Sequence, residues 1–224
     1  MVNLSAIVSA YYAADYLSPR LWNLTKLGVS DIIVVCQEGS EEQKIAMEHT
    51  CTVVITNDIP TVYKAWNLGI QHAVEEFVTN ANSDDVVYEK GYEHLVDLLQ
   101  NNPDVCLAYG NSDILNIYKG YPINRFQWYQ GGLEDLLEHC FIGPMPVWRR
   151  SLHEKYGFFD EEMRSAGDYE FWLRLAFAGE KFLHTKRCVG AFLSHSDSAS
   201  MREPLRSIWE TARARSRYNK QGVI

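Results

Sequence analysis

Short apolar runs alternate with stretches of helical periodicity over the first third of this chain, and this alternation restricts its fold more than any other feature. β-Branched and apolar runs predict buried strands, whereas apolar residues three and four positions apart predict helices. The predicted strands are 4–10, 31–36, 51–55 and 77–81, and the helices between them are 16–27, 41–49 and 61–76. Strands that alternate with helices in this way form a parallel sheet covered on both faces. We therefore predict an α/β fold with a doubly wound, mostly parallel sheet in a Rossmann-like sandwich of three layers.

The second half of the sequence is less regular. We expect helices over 91–101, 133–139 and 169–178, strands over 105–109 and 112–118, and an aromatic loop over 121–132. We divide the chain into one domain, 1–200, and a C-terminal basic amphipathic helix, 201–224. The apolar residues of that helix at helical spacing are Leu205, Ile208, Trp209 and Ala212. Their face is expected either to pack on the domain, which leaves a solvated basic face, or to contact anionic lipid or a partner.

The charge balance and the cysteines exclude several classes of protein. The 224 residues carry a formal charge of -8, whereas nucleic-acid binders normally present a basic face to phosphate. The cysteines are odd in number and show no C-x-x-C spacing, so neither a disulfide framework nor a zinc site is indicated. No run approaches the ~20 apolar residues that span a bilayer, and residues 1–10 lack the pattern of a signal peptide. We expect a cytoplasmic protein, peripheral to a membrane at most, that does not bind nucleic acid.

Polar residues follow three of the predicted strands, at 9–12, 37–40 and 82–85. Because ligands bind beyond the carboxyl ends of strands in a doubly wound sheet, we expect these segments to share one edge. The last segment contains adjacent carboxylates, Asp84 and Asp85, whose repulsion is unfavourable unless a positive charge lies between them. Mn²⁺ or Mg²⁺ suits such oxygen ligands, and a solvated turn that caps the next helix is the alternative.

Motifs that occur in the same order resemble those of family 2 glycosyltransferases. The family patterns are a first strand with a polar end, a second strand with D-D-G-S, N-x-G-I-x-x-A leading to a D-x-D-type motif, G-x-F-D-E, and E-D-x-x-L-x-x-R. The similar segments here are 6–12 (AIVSAYY), 34–40 (VVCQEGS), 66–85 (WNLGIQHAVEEFVTNANSDD), 157–161 (GFFDE) and 167–174 (GDYEFWLR). The resemblance extends over the chain to about His195.

This resemblance implies a GT-A fold and a metal-dependent enzyme that moves a sugar, with inversion, from a nucleotide diphosphate donor. UDP is the favoured nucleotide, and the acceptor would be a saccharide, lipid-linked or protein-linked hydroxyl. Asp168 would be the general base that takes the proton of the acceptor. The implied donor-binding residues are Ser9, Ala10, Tyr11, Glu38, Asn67, Asn82, Ser83 and Asp84. The implied ligands of Mn²⁺ or Mg²⁺ are Asp84, Asp85 and His195.

Several of these residues also have a structural interpretation. Asp168 suits the N-cap or first turn of the helix that follows it, and a lone histidine such as His195 is often structural. The flat rings of Trp128 and Tyr129 suit a sugar acceptor or a lid over the donor, but equally an anchor for the aromatic loop.

Two departures from the family patterns keep other functions open. Asn82 replaces the first acid of the D-x-D motif, and Gln37 and Glu38 replace the usual pair of acids before G-S. A non-catalytic module that binds a nucleotide sugar or a carbohydrate is therefore one alternative. A sugar nucleotidyltransferase is another, although residues 9–14 lack the glycine and lysine typical of its phosphate loop.

Overall fold

The computed structural model describes residues 1–58, 60–116, 122–194 and 203–219. The helices within these residues are α1 (Ala14–Lys26), α2 (Glu41–Met47), α3 (Val62–His72), α4 (Gly91–Asn101), α5 (Leu133–Glu138), α6 (Leu152–Tyr156), α7 (Gly167–Phe177) and α8 (Pro204–Tyr218). The strands are β1 (Val2–Ala10), β2 (Val29–Gln37), β3 (Thr52–Thr56), β4 (Phe77–Asn80), β5 (Val86–Val87), β6 (Val105–Asn116), β7 (Pro122–Phe126), β8 (Val147–Arg149) and β9 (Lys181–Ser194).

The strands form one sheet in the order β3-β2-β1-β4-β8-β6-β9-β5, with β7 paired to β6. β1 pairs in parallel with β2 and β4, β2 with β3, and β6 with β9. The short strands β5, β7 and β8 run antiparallel to their neighbours. The predicted doubly wound, mostly parallel sheet is confirmed.

Each face of the sheet is covered by a separate hydrophobic core, because successive side chains of a strand point to opposite faces. Ile7 of β1 packs in one core with Trp66 of α3 and Phe171 of α7. Its neighbour Val8 packs in the other core, with Leu17 of α1 and Leu95 of α4. Helices therefore cover both faces, as the three-layer prediction requires.

The parallel strands bring the predicted polar segments to one edge of the sheet. The register pairs Ala10 with Cys36 and Gln37 with Thr56, so β1, β2 and β3 end side by side. β4 ends at Asn80, which pairs with Ile7 of β1. Segments 9–12, 37–40 and 82–85 thus leave adjacent strands at the same edge.

The second half of the sheet differs from the sequence prediction. The two strands expected over 105–109 and 112–118 are one strand, β6, whose pairing with β9 shifts register on either side of Asn111. Gly110 allows this close approach, because a Cβ there would lie 2.6 Å from a side-chain carbon of Val189. No strand was predicted over Lys181–Ser194, although β9 is the longest strand described.

The C-terminal helix α8 is present, and its apolar face does not pack on the domain, which was the first of the two arrangements expected. Leu205, Ile208 and Trp209 are 81%, 67% and 60% exposed. The buried residues of α8 are instead Glu210 and Ala214, and Arg215 donates to the hydroxyl of Tyr169 on α7. Hydrogen bonds to α7 and to the loop before it therefore hold the helix, together with apolar contacts of Ala214 and Tyr218 with the core. Among the described residues, no helix is both long and apolar enough to cross a membrane.

Candidate active site

The acidic motif forms a turn directly after β4. The N–H of Ala81 donates to the carbonyl of Ile7 at 2.8 Å, which extends the pairing with β1 to the start of the turn. The side-chain amide of Asn82 then donates to Oδ2 of Asp85 at 3.1 Å. Asn82, Ser83 and Asp84 are partly exposed. The amide that replaces the usual first acid therefore closes the turn on Asp85.

Asp85 is 2% exposed, so its charged form is costly to bury. Burial and the neighbouring carboxylate of Asp84 raise the pKa of Asp85 to about 7, and the guanidinium of Arg20 and hydrogen bonds from Asn82 and the backbone of Leu193 oppose this rise. Oδ1 of Asp85 is buried without a hydrogen-bond partner among the described residues. Such a carboxylate is stabilised by any cation that reaches it.

These observations define how the turn could hold a metal ion. Asp84 and Asp85 fit a Mg²⁺-type site, which usually takes one or two carboxylates and completes its shell with water and phosphate oxygens. Because Asp85 is buried beside Arg20, the more accessible of the two carboxylates is that of Asp84. The described residues contain no group of three or more His, Cys, Asp or Glu side chains that could hold a metal. His195, the third predicted ligand, lies outside the described residues.

Asp168 is the second residue of α7 and is held from two sides. Its Oδ1 accepts hydrogen bonds from the hydroxyl of Tyr63 at 3.0 Å and from the N–H of Tyr169 at 2.9 Å. Burial raises the pKa of Asp168 above its ordinary value, and these two hydrogen bonds partly offset the rise. A partly buried carboxylate with a raised pKa is the environment of a general base.

The contact with Tyr63 locates Asp168 relative to the sheet. Tyr63 lies in the first turn of α3, which begins shortly after the carboxyl end of β3. Gly167 permits this contact, because a Cβ at that position would lie 2.7 Å from the Tyr63 ring. Asp168 therefore lies at the edge of the sheet where β1, β2 and β4 also end.

Asn67 does not have the accessible position expected of a donor-binding residue. It is 1% exposed, and its amide donates to the carbonyl of Phe159 at 2.9 Å and to the carboxylate of Glu161 at 3.0 Å. Its oxygen accepts from the N–H of Phe159 at 3.0 Å. Asn67 thus ties the G-x-F-D-E loop to α3 through all of its polar atoms, an arrangement that argues against donor binding, which stays a prediction for this residue.

The predicted nucleoside residues lie around the ends of β1, β2 and β3. Ser9 and Tyr11 are partly exposed and Glu38 is exposed. The hydroxyls of Tyr11 and Thr56 are 2.8 Å apart. Ala10 is fully buried in the core, so only its backbone faces this edge.

The aromatic loop is firmly attached to the sheet. Trp128 stacks on Phe126 with ring centroids 4.8 Å apart, and its backbone N–H donates to Oδ1 of Asn111 at 3.0 Å. The hydroxyl of Tyr129 lies 2.7 Å from Nε2 of His139, and its carbonyl accepts from Tyr109 at 2.5 Å. These contacts fit the anchoring interpretation of Trp128 and Tyr129. The 38% exposure of Tyr129 leaves part of its ring available to a ligand.

Two residues that hold Asp168 or the loop before it, Tyr63 and Glu210, were not predicted from the sequence. Tyr63 carried no signal, because a tyrosine on the apolar face of a helix looks like an ordinary core residue. Glu210 carried one: it is the only acidic residue in the basic segment 204–218. It is also 1% exposed, and a buried carboxylate needs partners.

Comparisons with known proteins identify the family of this chain. The family model described as "Glycosyl transferase family 2" matches residues 5–157, which include the acidic turn and end before Asp168. An uncharacterized glycosyltransferase of Rickettsia prowazekii (strain Madrid E) is 24% identical over 188 residues, which cover 76% of this chain and 58% of that protein. One of Haemophilus influenzae is 21% identical over 180 residues and covers 77% and 61%. This chain therefore spans less than two thirds of the length of these relatives.

Solved structures share the fold. The structure of S. aureus TarS 1-349 in complex with UDP-GlcNAc superposes with a TM-score of 0.77 at 16% identity, over 96% of this chain and 66% of that one. The mannosyltransferase PcManGT from Pyrobaculum calidifontis, in complex with GDP-Man and Mn²⁺, gives a TM-score of 0.69 at 16% identity, over 94% and 64%. The predicted GT-A fold is confirmed.

Proposed function

Because the chain belongs to glycosyl transferase family 2, we propose that it transfers a sugar from a nucleotide diphosphate donor to a hydroxyl acceptor. The observation that carries this proposal is the position of Asp168, whose partly buried carboxylate is held by Tyr63 at the edge where β1, β2 and β4 end. This edge is where a doubly wound sheet binds its ligand.

The donor is a nucleotide diphosphate sugar, with UDP favoured. TarS was solved with UDP-GlcNAc and PcManGT with GDP-Man, so proteins of this fold bind both nucleotides. Here the exposed carboxylate of Glu38 could accept a base N–H, and Ser9 and Tyr11 lie at the end of the neighbouring strand. Asn82, Ser83 and Asp84 follow β4 and face the diphosphate in this arrangement.

A divalent cation, Mn²⁺ or Mg²⁺, assists the reaction. Asp84 and Asp85 would hold it, with His195 as a further ligand, and the partnerless buried oxygen of Asp85 supports this assignment. When bound, such an ion neutralises negative charge on the diphosphate. The repulsion between Asp84 and Asp85 raises the pKa of Asp85. Because a cation relieves this repulsion, the pair of carboxylates favours binding of the cation.

Asp168 acts as the general base in a single displacement. Its carboxylate accepts the proton of the acceptor hydroxyl while the oxygen of that hydroxyl bonds to the anomeric carbon. The bond from that carbon to the diphosphate oxygen breaks, and the nucleotide diphosphate leaves from the opposite face with both electrons. The anomeric configuration inverts. Burial, which raises the pKa of Asp168, makes it a stronger base than an exposed aspartate.

The acceptor is a saccharide, lipid-linked or protein-linked hydroxyl, and the exposed part of the Tyr129 ring, beside Trp128, is the surface proposed for it.

Contact with a membrane surface is supported by the exposed strip of Leu205, Ile208 and Trp209 on α8. Loss of sedimentation with anionic vesicles in a Leu205→Ser, Trp209→Ser protein tests that contact, and unchanged binding would contradict it. The cytoplasmic location and the division of the chain after residue 200 stay predictions.

Measurement of nucleotide release from a panel of UDP- and GDP-sugars, with and without Mn²⁺, tests the proposed function. We expect one donor to be turned over, with a dependence on the cation. A module that only binds nucleotide sugar is the competing function, and the amide of Asn82 in the acidic turn favours it. Selective thermal stabilisation by one donor without any nucleotide release would support that module and contradict the transferase.

A further inference from the structure

The loop before α7, the helix that carries Asp168, is bound by a side chain of α8. We propose that Glu210 of α8 is a positioning residue for Asp168, a proposal that rests on the proposed function of Asp168. Glu210 is 1% exposed, although a carboxylate is rarely so buried unless its oxygens are fully engaged.

The carboxylate of Glu210 accepts hydrogen bonds from three consecutive backbone N–H groups. Its Oε1 lies 3.0 Å from the nitrogen of Arg164, and its Oε2 lies 3.1, 2.8 and 3.1 Å from the nitrogens of Arg164, Ser165 and Ala166. Successive N–H groups of this kind form a concave site for an anion. Glu210 occupies that site and fixes the backbone of 164–166.

This backbone leads directly into the helix that carries Asp168. Ala166 is the N-cap of α7, and its side chain has no oxygen with which to cap the helix. A serine, threonine, aspartate or asparagine usually supplies that oxygen, but here the carboxylate comes from α8, which is distant in sequence. Its negative charge also lies at the positive end of the α7 dipole.

A second contact from α8 holds the other side of Asp168. Nε of Arg215 donates to the hydroxyl of Tyr169 at 2.9 Å, and Arg215 also donates to the carbonyl of Glu138 at the end of α5. Side chains of α8 thus bind both Ala166 and Tyr169, the residues on either side of Gly167 and Asp168. A shift of α8 would move the carboxylate of Asp168 relative to its acceptor, and a displacement of about 1 Å at a reacting group lowers rates by about a hundredfold.

Two matched variants separate positioning from simple stabilisation. Glu210→Gln keeps the size of the side chain and one acceptor oxygen but removes the charge, and Glu210→Ala removes the cap entirely. Glu203→Gln is the control, because Glu203 is the N-cap residue of α8 and, among the described residues, pairs with the exposed side chains of Arg206 and Arg164, not with the backbone N–H groups of the loop. Asp168→Asn is the reference for loss of the base.

The first measurement is amide hydrogen exchange by the intact protein. We expect exchange of the amides of 164–169 to accelerate by about tenfold or more in Glu210→Ala, and by less in Glu210→Gln, while α3 is unchanged. Unchanged exchange at 164–169 in a folded Glu210→Ala protein would overturn the proposal. If Glu210→Ala does not fold, the same comparison is made with Glu210→Gln.

The second measurement is release of UDP from UDP-GlcNAc with Mn²⁺, together with the affinity for UDP. We expect kcat of the Glu210 variants to fall by about tenfold to a hundredfold, with KM and UDP affinity within twofold of wild type. The acid limb of the pH profile should move to lower pH, because burial is the main cause of the raised pKa of Asp168 and a loosened loop admits water.

Two kinetic results would count against the positioning role: a kcat within twofold of wild type, or a loss confined to KM. Glu203→Gln should resemble wild type in every assay. If Asp168→Asn itself turns over at the wild-type rate, or the wild type releases nucleotide from no sugar nucleotide of the UDP and GDP panel, the proposed function fails, and hydrogen exchange still decides whether Glu210 holds the loop.

Discussion

The hydroxyl of Tyr63 donates a 3.0 Å hydrogen bond to Oδ1 of Asp168 across the interface between α3 and α7. It joins the first turn of α3, the helix after β3, to the first turn of α7, which carries the proposed base. It stabilises the charged form of Asp168 and so lowers its pKa, in opposition to the effect of burial.

Removal of this hydroxyl should change the pH dependence of the reaction. In Tyr63→Phe the pKa of Asp168 rises further, so the acid limb of the pH–rate profile moves to higher pH. The stability loss should be about 1 kcal/mol. Tyr156→Phe is the control, because the hydroxyl of Tyr156 donates to Glu180 instead. An unshifted acid limb in Tyr63→Phe would show that this hydrogen bond does not tune the base.

Gly167 should resist substitution because of its contact with Tyr63. A Cβ in Gly167→Ala would lie 2.7 Å from the ring, so we expect a loss of about 1 to 3 kcal/mol in urea unfolding. Gly132→Ala offers a matched comparison, since a Cβ there meets no atom within 4 Å and the backbone has a φ of -127°. Equal stability of the two variants would contradict the close packing at Gly167.

Asn67→Ala should destabilise the protein without weakening donor binding. It leaves the N–H of Phe159 buried without its acceptor, and such a loss is typically about 1 to 3 kcal/mol. UDP affinity of the folded protein, measured by calorimetry, should stay within about twofold of wild type. Asn101→Ala, which removes a hydrogen bond on the exposed face of α4, is the control. A selective loss of UDP affinity in Asn67→Ala would restore the donor-binding role that the structure argues against.

The acidic turn should make stability depend on pH and on the cation. Because the folded pKa of Asp85 is about 7, above its ordinary value, the folded state holds this proton more tightly than the unfolded state. Stability without a cation should therefore fall as pH rises from about 4 to 8, and Asp85→Asn should remove this component. Mn²⁺ should raise the melting temperature more at pH 8 than at pH 6. An equal effect of Mn²⁺ at both pH values would contradict a cation at Asp84 and Asp85.

The first half of the fold was predictable because its apolar runs and helical periodicity coincide with the strands and helices of the structure. The runs that became β1, β2 and β4 are buried on both faces, and such strands appear in sequence as continuous apolar segments. β9 was not predictable in the same way, because Lys181–Ser194 contains four charged or histidine side chains and pairs in a shifted register.

The site was predicted less completely than the fold. Asp84 and Asp168 could be proposed from the sequence because the acidic turn after a strand and the G-D-Y-E-F-W-L-R segment are local patterns, and their roles stay predictions. Tyr63 and Glu210 act through contacts with residues 105 and 44 to 46 positions away, and such contacts leave no local pattern. The orientation of α8 was left open by the sequence for a related reason. Periodicity identifies an apolar face, but the face that meets the domain carries Glu210, Ala214 and Arg215, whose partners are distant in sequence.

The most direct test of the proposed mechanism compares transfer and binding in Asp168→Asn. With the donor identified by the nucleotide-sugar panel, kcat should fall by about 10²- to 10⁴-fold while donor affinity stays within twofold of wild type. Asp97→Asn, an exposed aspartate of α4, should keep wild-type kcat. A kcat of Asp168→Asn within tenfold of wild type would contradict the account.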